Sequence, residues 1–476
     1  MDLHSRSVKD LPGPKGLPLL GNLHEVDLKK LHRILEDWVN MYGPLYKFRL
    51  GTHPVVVVAD TENVQQILRQ RPNIYRRLGA IETVFLEMGI TGVFSAEGND
   101  WKRQRRLTAH ALDAIHLREF FPILLRVTER LRKRWMMHAD SGATVDIQQD
   151  LMRYTVDVTT NLAFGYDMNT LEKEGDVIQD HLQKIFPMIN RRINSPFPYW
   201  RYLKLPADHA LDAALKAIQQ AIASFVSQGR VRLAANPDLL THPTNLLEVM
   251  LSARDENGGV FSDVDIHGNV MTLLLAGEDT TANTLAWTAN YMVNQPEIQT
   301  GVQTEVSSLV SPTGMLHSIQ NADKMEYSEA VANETLRLKP VAPILFLEPM
   351  QDVTLSGVTV EKGTSIFLLT MHGGLQDSNF QEASQFNPGR WLQPTTTSGC
   401  PFNHTPKAFL PFGGGPRFCP GRQLAMVEMK MVMAMLCSQF EIVKVDGPKP
   451  VTELFSFTMM PQNLLVRFKA RNRTGA

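Results

Sequence analysis

Between Ser262 and Pro296 the chain runs without a proline, and this stretch limits the architecture more than any other. Ser262-Asp263-Val264-Asp265 has the S-x-x-D shape of a capping box, in which the first and last side chains satisfy backbone N–H groups at a helix start. Pro296 follows soon after Asn294, where a helix must stop. At 1.5 Å per residue, a helix of roughly 30 residues is about 45 Å long, enough to cross a domain. Its middle, Val270-Met271-Thr272-Leu273-Leu274-Leu275-Ala276, is apolar nearly all round, so it is expected to be buried. A chain carrying such a rod has to pack other elements around it.

The rod then breaks local rules at one place, Gly277-Glu278-Asp279-Thr280-Thr281-Ala282. A mid-helix glycine costs about 1 kcal/mol relative to alanine. An aspartate in a buried segment is costly unless it is paired. A rule broken at a single spot points to function. The plain alternative is a kink in which a threonine hydroxyl bonds the carbonyl four residues back.

A second irregular stretch is Phe412-Gly413-Gly414-Gly415-Pro416-Arg417-Phe418-Cys419-Pro420-Gly421. Its consecutive glycines allow positive φ and let backbone N–H groups crowd one point. Pro416 and Pro420 fix φ on either side of the cysteine. From Gln423 to about Phe440 the sequence turns apolar and helix-favouring. Cys419 therefore stands in a rigid loop just before a helix N-terminus, with Arg417 beside it. The loop amides, the helix dipole and the arginine all favour thiolate over thiol. Such a thiolate suits a soft metal. A lone cysteine is more often a small buried hydrophobe, and Gly-Pro clusters more often mark turns. Yet Phe, Gly, Arg, Cys and Gly at these offsets arise by chance in only about one chain of this length in ten thousand.

With 476 residues, 43% hydrophobic and 20% charged, and a formal net charge of −1, the composition is that of an ordinary globular protein. The near-zero charge argues against nucleic-acid binding. Cys400, Cys419 and Cys437 form no disulfide framework and fit a reducing compartment, with Cys400 and Cys437 read as free thiols. No run of about 18 or more apolar residues is present, so no membrane span is expected. No linker, charge run or repeat divides the chain. Residues 1–26, with Leu11-Pro12-Gly13-Pro14, read as a stiff Pro/Gly segment, and 27–476 as one domain.

Apolar spacing predicts helices over Asp27–Tyr42, Thr61–Gln70, Phe120–Met137, Ile147–Phe164, Leu182 onward, Ala207–Ala235 and Ala330–Leu338. Leu45–Leu50 and Pro54–Val58 read as a hairpin. Val353–Val360 and Thr364–Thr370 read as strands of the same small sheet. Residues 71–99, rich in glycine, read as a long lid-like loop. Trp101-Lys102-Arg103-Gln104-Arg105-Arg106 opens a helix with Trp101 and Arg105 on one face. Glu334 and Arg337, three apart, would ordinarily be a surface pair worth a few tenths of a kcal/mol. The methionines 426, 429, 431, 433 and 435 read as a core-packing stripe rather than sulfur ligands.

The pattern F-x-x-G-x-R-x-C-x-G at Phe412, Gly415, Arg417, Cys419 and Gly421 resembles the haem-binding loop of the cytochrome P-450 superfamily. A-G-x-D-T-T at Ala276, Gly277, Asp279 and Thr280 resembles its oxygen-activation motif. E-x-x-R at Glu334 and Arg337, followed by F-x-P-x-R-W with Phe386, Pro388, Arg390 and Trp391, resembles its charge network. The motifs occur in the family order from Trp101 to Gly421.

The resemblance implies a mainly α, single-domain prism with a small β region. The haem would lie between the long central helix and the Cys-loop helix. It implies a haem-thiolate monooxygenase using haem b, with Cys419 as the axial iron ligand. One oxygen atom of O2 would enter an organic substrate, with NAD(P)H electrons arriving through a separate ferredoxin or flavodoxin and its reductase. Asp279 and Thr280 would deliver protons, and Ala276-Gly277 would leave the gap for O2. Trp101 and Arg105 would grip a propionate, and Lys102, Arg103 and Arg106 would face an acidic redox partner. Glu334, Arg337 and Arg390 would be structural.

Two departures from the family pattern stand out. Leu347 replaces the propionate-binding arginine of many members, which shifts that task to Arg105, Trp101, Arg417 or His372. The usual H-R-D reads Leu375-Gln376-Asp377. By family position, substrate contacts come from 81–94, 271–280, 344–346 and 457–460. These imply a hydrophobic small molecule of terpenoid, steroid, fatty-acid or polyketide class. The rival readings are a peroxide-dependent peroxygenase or isomerase, and a non-catalytic haem sensor. The protein is expected to be a cytoplasmic monomer of bacterial type. The alternative is a membrane-anchored enzyme with its anchor trimmed.

Overall fold

The computed structural model describes residues 6–173, 177–195, 197–254, 258–392, 405–447 and 449–471. Cys400 lies outside them. Helices dominate: α1 (Leu31–Tyr42), α2 (Thr61–Gln70), α3 (Gly79–Glu87), α4 (Gly98–Ala111), α5 (Ala114–Ser141), α6 (Ile147–Phe164), α7 (Val177–Ile193), α8 (Pro206–Ala235), α9 (Leu246–Ser252), α10 (Asp263–Asn294), α11 (Pro296–Val306), α12 (Ile319–Asp323), α13 (Glu326–Leu338) and α14 (Arg422–Gln439). Short strands make the rest: β1 (Arg6–Ser7), β2 (Leu45–Leu50), β3 (His53–Val58), β4 (Tyr75–Arg77), β5 (Val145–Asp146), β6 (Ile344–Pro349), β7 (Val353–Leu355), β8 (Val358–Val360), β9 (Ser365–Leu369), β10 (Phe440–Lys444), β11 (Thr452–Phe455), β12 (Met459–Gln462) and β13 (Leu465–Ala470). Among the described residues no helix is long and apolar enough to cross a membrane.

The chain divides into two compact units. The first comprises residues up to Thr83, Glu334–Cys419 and Glu453–Met460. Its centre is a sheet of order β2-β3-β9-β6-β4. The β2–β3 hairpin is antiparallel, with Leu45 opposite Val58, as the β-branched run predicts. Val55–Val58 are buried on both faces of the sheet. Val56 and Val58 meet Ile67 and Leu68 of α2 on one side. On the other, Phe48 packs against Phe367 at 5.6 Å and Trp38 at 5.4 Å.

The strands β7 and β8 do not join this sheet as expected. They turn on Ser356 and Gly357, both at positive φ, and pair with each other. Arg6–Ser7 takes the free edge, giving a separate sheet of order β1-β8-β7. Only β9 returns to the main sheet, running parallel to β3.

Residues 71–99 are not one long loop either. They contain β4 and α3, whose Ile81, Val84 and Phe85 are buried, as is Met88 just beyond its end. That spacing of three, one and three is a helical stripe which the scattered glycines obscure.

The second unit comprises Val84–Asn333, Pro420–Thr452 and the chain from Pro461 on. Its axis is α10. The capping box is formed: Asp265 N–H donates to Ser262 Oγ at 3.2 Å, and Ser262 N–H to Asp265 Oδ2 at 3.1 Å. Helix α6 packs closely along α10, with Thr155 Oγ1 donating to the Glu278 carbonyl at 2.8 Å. The α14 methionines are buried core, as their spacing suggests. Trp135 of α5 stacks on Phe468 of β13 at 4.8 Å, covering the sheet of order β10-β13-β5.

Candidate active site

Each unit carries one set of the residues singled out above. In the first unit, the glycine-rich loop ends in a 3-10 turn, Gly415–Arg417. Cys419 N–H donates back to the Phe412 carbonyl at 2.9 Å, which closes the loop. Gly413 has φ +74, a conformation that side chains rarely adopt, and a Cβ there would meet nothing within 4 Å. Gly415 has a different reason. A Cβ on it would stand 2.1 Å from the Leu68 carbonyl oxygen, so this glycine lets the loop rest on the end of α2. Cys419 is partly exposed, whereas Cys437 is fully buried and its thiol is pushed up to about 12 by that burial. Of these two, only Cys419 is placed for metal chemistry.

The Glu334 network is buried rather than at the surface. Arg337 donates to both carboxylate oxygens of Glu334, at 2.9 and 2.8 Å. Arg390 Nε donates to Glu334 Oε1 at 2.9 Å. Trp391 Nε1 and the Asn387 N–H, each at 2.9 Å, complete the carboxylate. The guanidinium of Arg337 also donates to the carbonyls of Gly374 and Ala383, both at 2.6 Å. Trp391 packs against Phe409 at 4.6 Å, three residues before Phe412. The network thus braces the chain that leads into the cysteine loop. The sequence motif includes Trp391 but not the bond it makes, and nothing in the sequence marks the Asn387 N–H.

His372 is paired within the first unit. It is buried, with Nδ1 2.8 Å from Glu36 Oε2. Leu347 is buried in the hydrophobic core of its sheet, and Glu348 accepts from the Gly79 N–H at 3.1 Å. In the sheet register Leu347 stands opposite Arg77 of β4.

In the second unit, α10 is buried along most of its middle except where its sequence breaks the rules. Ala276 is exposed, and Gly277 and Thr280 are partly so, between buried Leu275 and Thr281. Thr280 Oγ1 donates to the Ala276 carbonyl at 2.8 Å. That bond is not distinctive, because Thr272, Thr284 and Thr288 make the same one four residues back. The exposure of the hydroxyl is what sets Thr280 apart. At Gly277 a Cβ would stand 2.7 Å from Thr159 Oγ1, so the glycine permits the close crossing of α6.

Asp279 is buried. Its neighbour Glu278 is also buried, and its carboxyl is pushed up to about 8 by loss of water, with the adjacent Asp279 charge adding to the shift. Glu278 was passed over in the sequence because nothing there distinguishes it from an exposed helical glutamate.

Trp101 is buried in α4 and Arg105 half-buried one turn on. Arg103 was expected to face a partner. Instead it grips Asp265 with two bonds, at 2.8 and 2.7 Å, leaving Lys102 and Arg106 as the exposed cations of that turn. Asn269 ties α4 and the preceding chain to α10, accepting from Val93 N–H at 2.9 Å and donating to Gln104 Oε1 at 2.6 Å. An asparagine inside an apolar helix was the available signal for this tie.

Comparison with known proteins gives the family of the chain. The profile of the family described as Cytochrome P450 matches residues 11–468. The 25-hydroxyvitamin D-1 alpha hydroxylase, mitochondrial, of Rattus norvegicus is 27% identical over 481 residues, spanning 96% of this chain and 93% of that protein. Cytochrome P450 3A11 of Mus musculus is 25% identical over 451 residues, spanning 90% and 85%. Among solved structures, the cytochrome P450DA heme domain superposes with a TM-score of 0.85 at 22% identity, covering 97% of this chain and 98% of that one. The cytochrome P450 CYP102L1 gives 0.83 at 23% identity, covering 97% and 99%. The chain belongs to the cytochrome P450 family. It is an oxidoreductase, a haem-thiolate monooxygenase that uses haem b and O2, with NAD(P)H electrons delivered through a redox partner.

Proposed function

We propose that Cys419 holds the haem iron of this monooxygenase and that Asp279 and Thr280 supply its protons. The observation carrying the reading is the partly exposed Cys419 thiol, set in a closed loop next to the open side of Gly413. The other residues fit the same group, since Ala276 and Thr280 are the accessible points of an otherwise buried stretch of helix. Haem, when bound, supplies the reductive cleavage of O2, so that one oxygen atom enters the substrate and the other leaves as water.

The chain's own residues have separate tasks. Cys419 supplies the thiolate. The loop amides and Arg417 hold its charge without protonating it. Trp101, Arg105 and Arg417 are the donors for the haem carboxylates. Thr280 Oγ1 donates to the Ala276 carbonyl and so keeps its lone pairs available to accept from water. Asp279 passes protons toward that hydroxyl.

The substrate is a hydrophobic small molecule of terpenoid, steroid, fatty-acid or polyketide class. Buried Val84, Phe85 and Met88, with Phe85 edge-on to Phe94 at 5.4 Å, support an apolar site. A ferredoxin or flavodoxin with an acidic face would meet Lys102 and Arg106. The test of the central assignment is the absorption spectrum of the reduced CO complex. Cys419→Ala removes the thiolate-type band, and a variant that keeps it overturns the reading. Thr280→Ala should uncouple NAD(P)H consumption from product formation, and unchanged coupling would exclude the proton role.

A further inference from the structure

The corner between α4 and α5 carries a side-chain group that none of these roles uses. Across it the sequence reads His110-Ala111-Leu112-Asp113-Ala114-Ile115-His116, with a carboxylate midway between two imidazoles. Asp113 caps α5, its Oδ1 accepting from the N–H groups of Ile115 and His116 at 3.0 Å each. The same oxygen lies 2.9 Å from His116 Nδ1. The second oxygen, Oδ2, is turned toward α4 and lies 3.5 Å from His110 Nδ1. The two imidazoles meet edge-on, with centroids 5.0 Å apart, and His116 is backed by the Phe120 ring at 6.3 Å. One ligand-capable atom from each residue lies within 4.8 Å of the other two.

A helix cap needs Asp113 and the main chain alone. It does not require an imidazole brought to each oxygen of the capping carboxylate from two different helices. We propose that His110, Asp113 and His116 form a binding site for a divalent transition cation of the zinc class. Two neutral imidazoles and one carboxylate are a recurrent three-ligand set for such ions, with water in the remaining position. Bonds of about 2.0–2.2 Å would draw the three donor atoms closer together. His110 is 57% exposed, so its ring has room to make that movement, while the two deeper ligands stay in place. The carbonyl end of α4 adds negative potential at the same point. A bound ion would staple the last turn of α4 to the first turn of α5. Because α4 also carries Trp101 and Arg105, the staple would steady that helix from its far end.

The test uses the haem-loaded full chain, free of any polyhistidine tag and dialysed against chelator. Zn2+ is titrated by calorimetry, and the bound metal is examined by X-ray absorption at the zinc edge, where haem iron does not contribute. The expected result is one zinc per chain with two imidazole ligands. His110→Ala and Asp113→Asn should each weaken binding by about tenfold or more. Asparagine also caps helices, so Asp113→Asn removes the ligand charge and keeps the α5 start. Haem content and far-ultraviolet dichroism of both variants should match the parent. Absence of saturable binding below about 1 mM zinc overturns the proposal, as does binding that persists in both variants.

Discussion

Glu334 and Glu278 are both almost fully buried carboxylates, at 0% and 3% exposure, and their surroundings assign them opposite states. Glu334 receives five hydrogen bonds, from Arg337, Arg390, Trp391 and the Asn387 N–H. It is a fixed anion between two fixed cations. Glu278 has an oxygen, Oε2, with no hydrogen-bond partner among the described residues, and burial holds its carboxyl protonated near neutrality. The contrast separates two uses of a buried acid. A satisfied charge fixes the position of everything bonded to it. An unsatisfied one is a proton-binding group whose state depends on pH. The first braces the approach to the cysteine loop, and the second sits beside the aspartate and threonine assigned to proton delivery.

The largest break in that comparison comes from the satisfied side. Glu334→Gln leaves Arg337 and Arg390 buried without their anion, which should cost about 3–5 kcal/mol in urea unfolding and lower haem retention. A loss below about 1 kcal/mol would show that the network is not a fixed ion cluster. On the other side, Gly277→Ala drives a methyl against Thr159 and should cost about 1–3 kcal/mol. Combining it with Thr159→Ala should recover most of that loss in thermal melts. Without recovery, the crossing of α6 and α10 is not what requires the glycine. Trp391→Phe keeps the ring on Phe409 but removes one bond to Glu334. A charged hydrogen bond of this kind is worth about 1.5 kcal/mol, and an unchanged melt would place the strength of the network in its arginines alone.

The two carboxylates were unequally legible in the sequence. Glu334 was found because E-x-x-R recurs in a known order with F-x-P-x-R-W. Its burial was not visible, since an i,i+3 pair looks the same on a surface as in a core. Most helices were readable, because α1 and α2 carry strong periodicity and α10 runs from a capping box to a proline stop. The β7–β8 sheet was misassigned because strands of three residues do not say which partner they will find. The α3 helix was hidden by glycines flanking its apolar stripe. Gly277 and Gly415 were recognised as special, but sequence alone could not tell a glycine needed for cofactor approach from one needed for packing. Glu278 left no trace, since its state is set by α6 lying over it, a tertiary fact.

The smallest expected effect near pH 5, growing as pH rises and so the sharpest test of the contrast, is that of Glu278→Gln. The folded carboxyl is raised from 4.5 to about 8, so the native chain holds a proton there that the unfolded chain releases. A raised value stabilises fully below the unfolded value, and that contribution is lost as pH climbs toward the folded one. Between pH 4.5 and about 8 this group should therefore reduce stability with a limiting slope of about 1.4 kcal/mol per pH unit. Glu428 in α14, buried and also pushed up to about 8, should contribute a second such proton. Glutamine mimics the neutral acid in shape and cannot ionise. Glu278→Gln should accordingly leave stability near pH 5 almost unchanged relative to the parent and flatten its decline toward pH 8. The proton uptake on folding should fall by about one, and the Glu278→Gln/Glu428→Gln pair should remove about two. If the single variant and the parent lose stability in parallel across that range, Glu278 is ionised in the native state and belongs with Glu334 as a compensated charge.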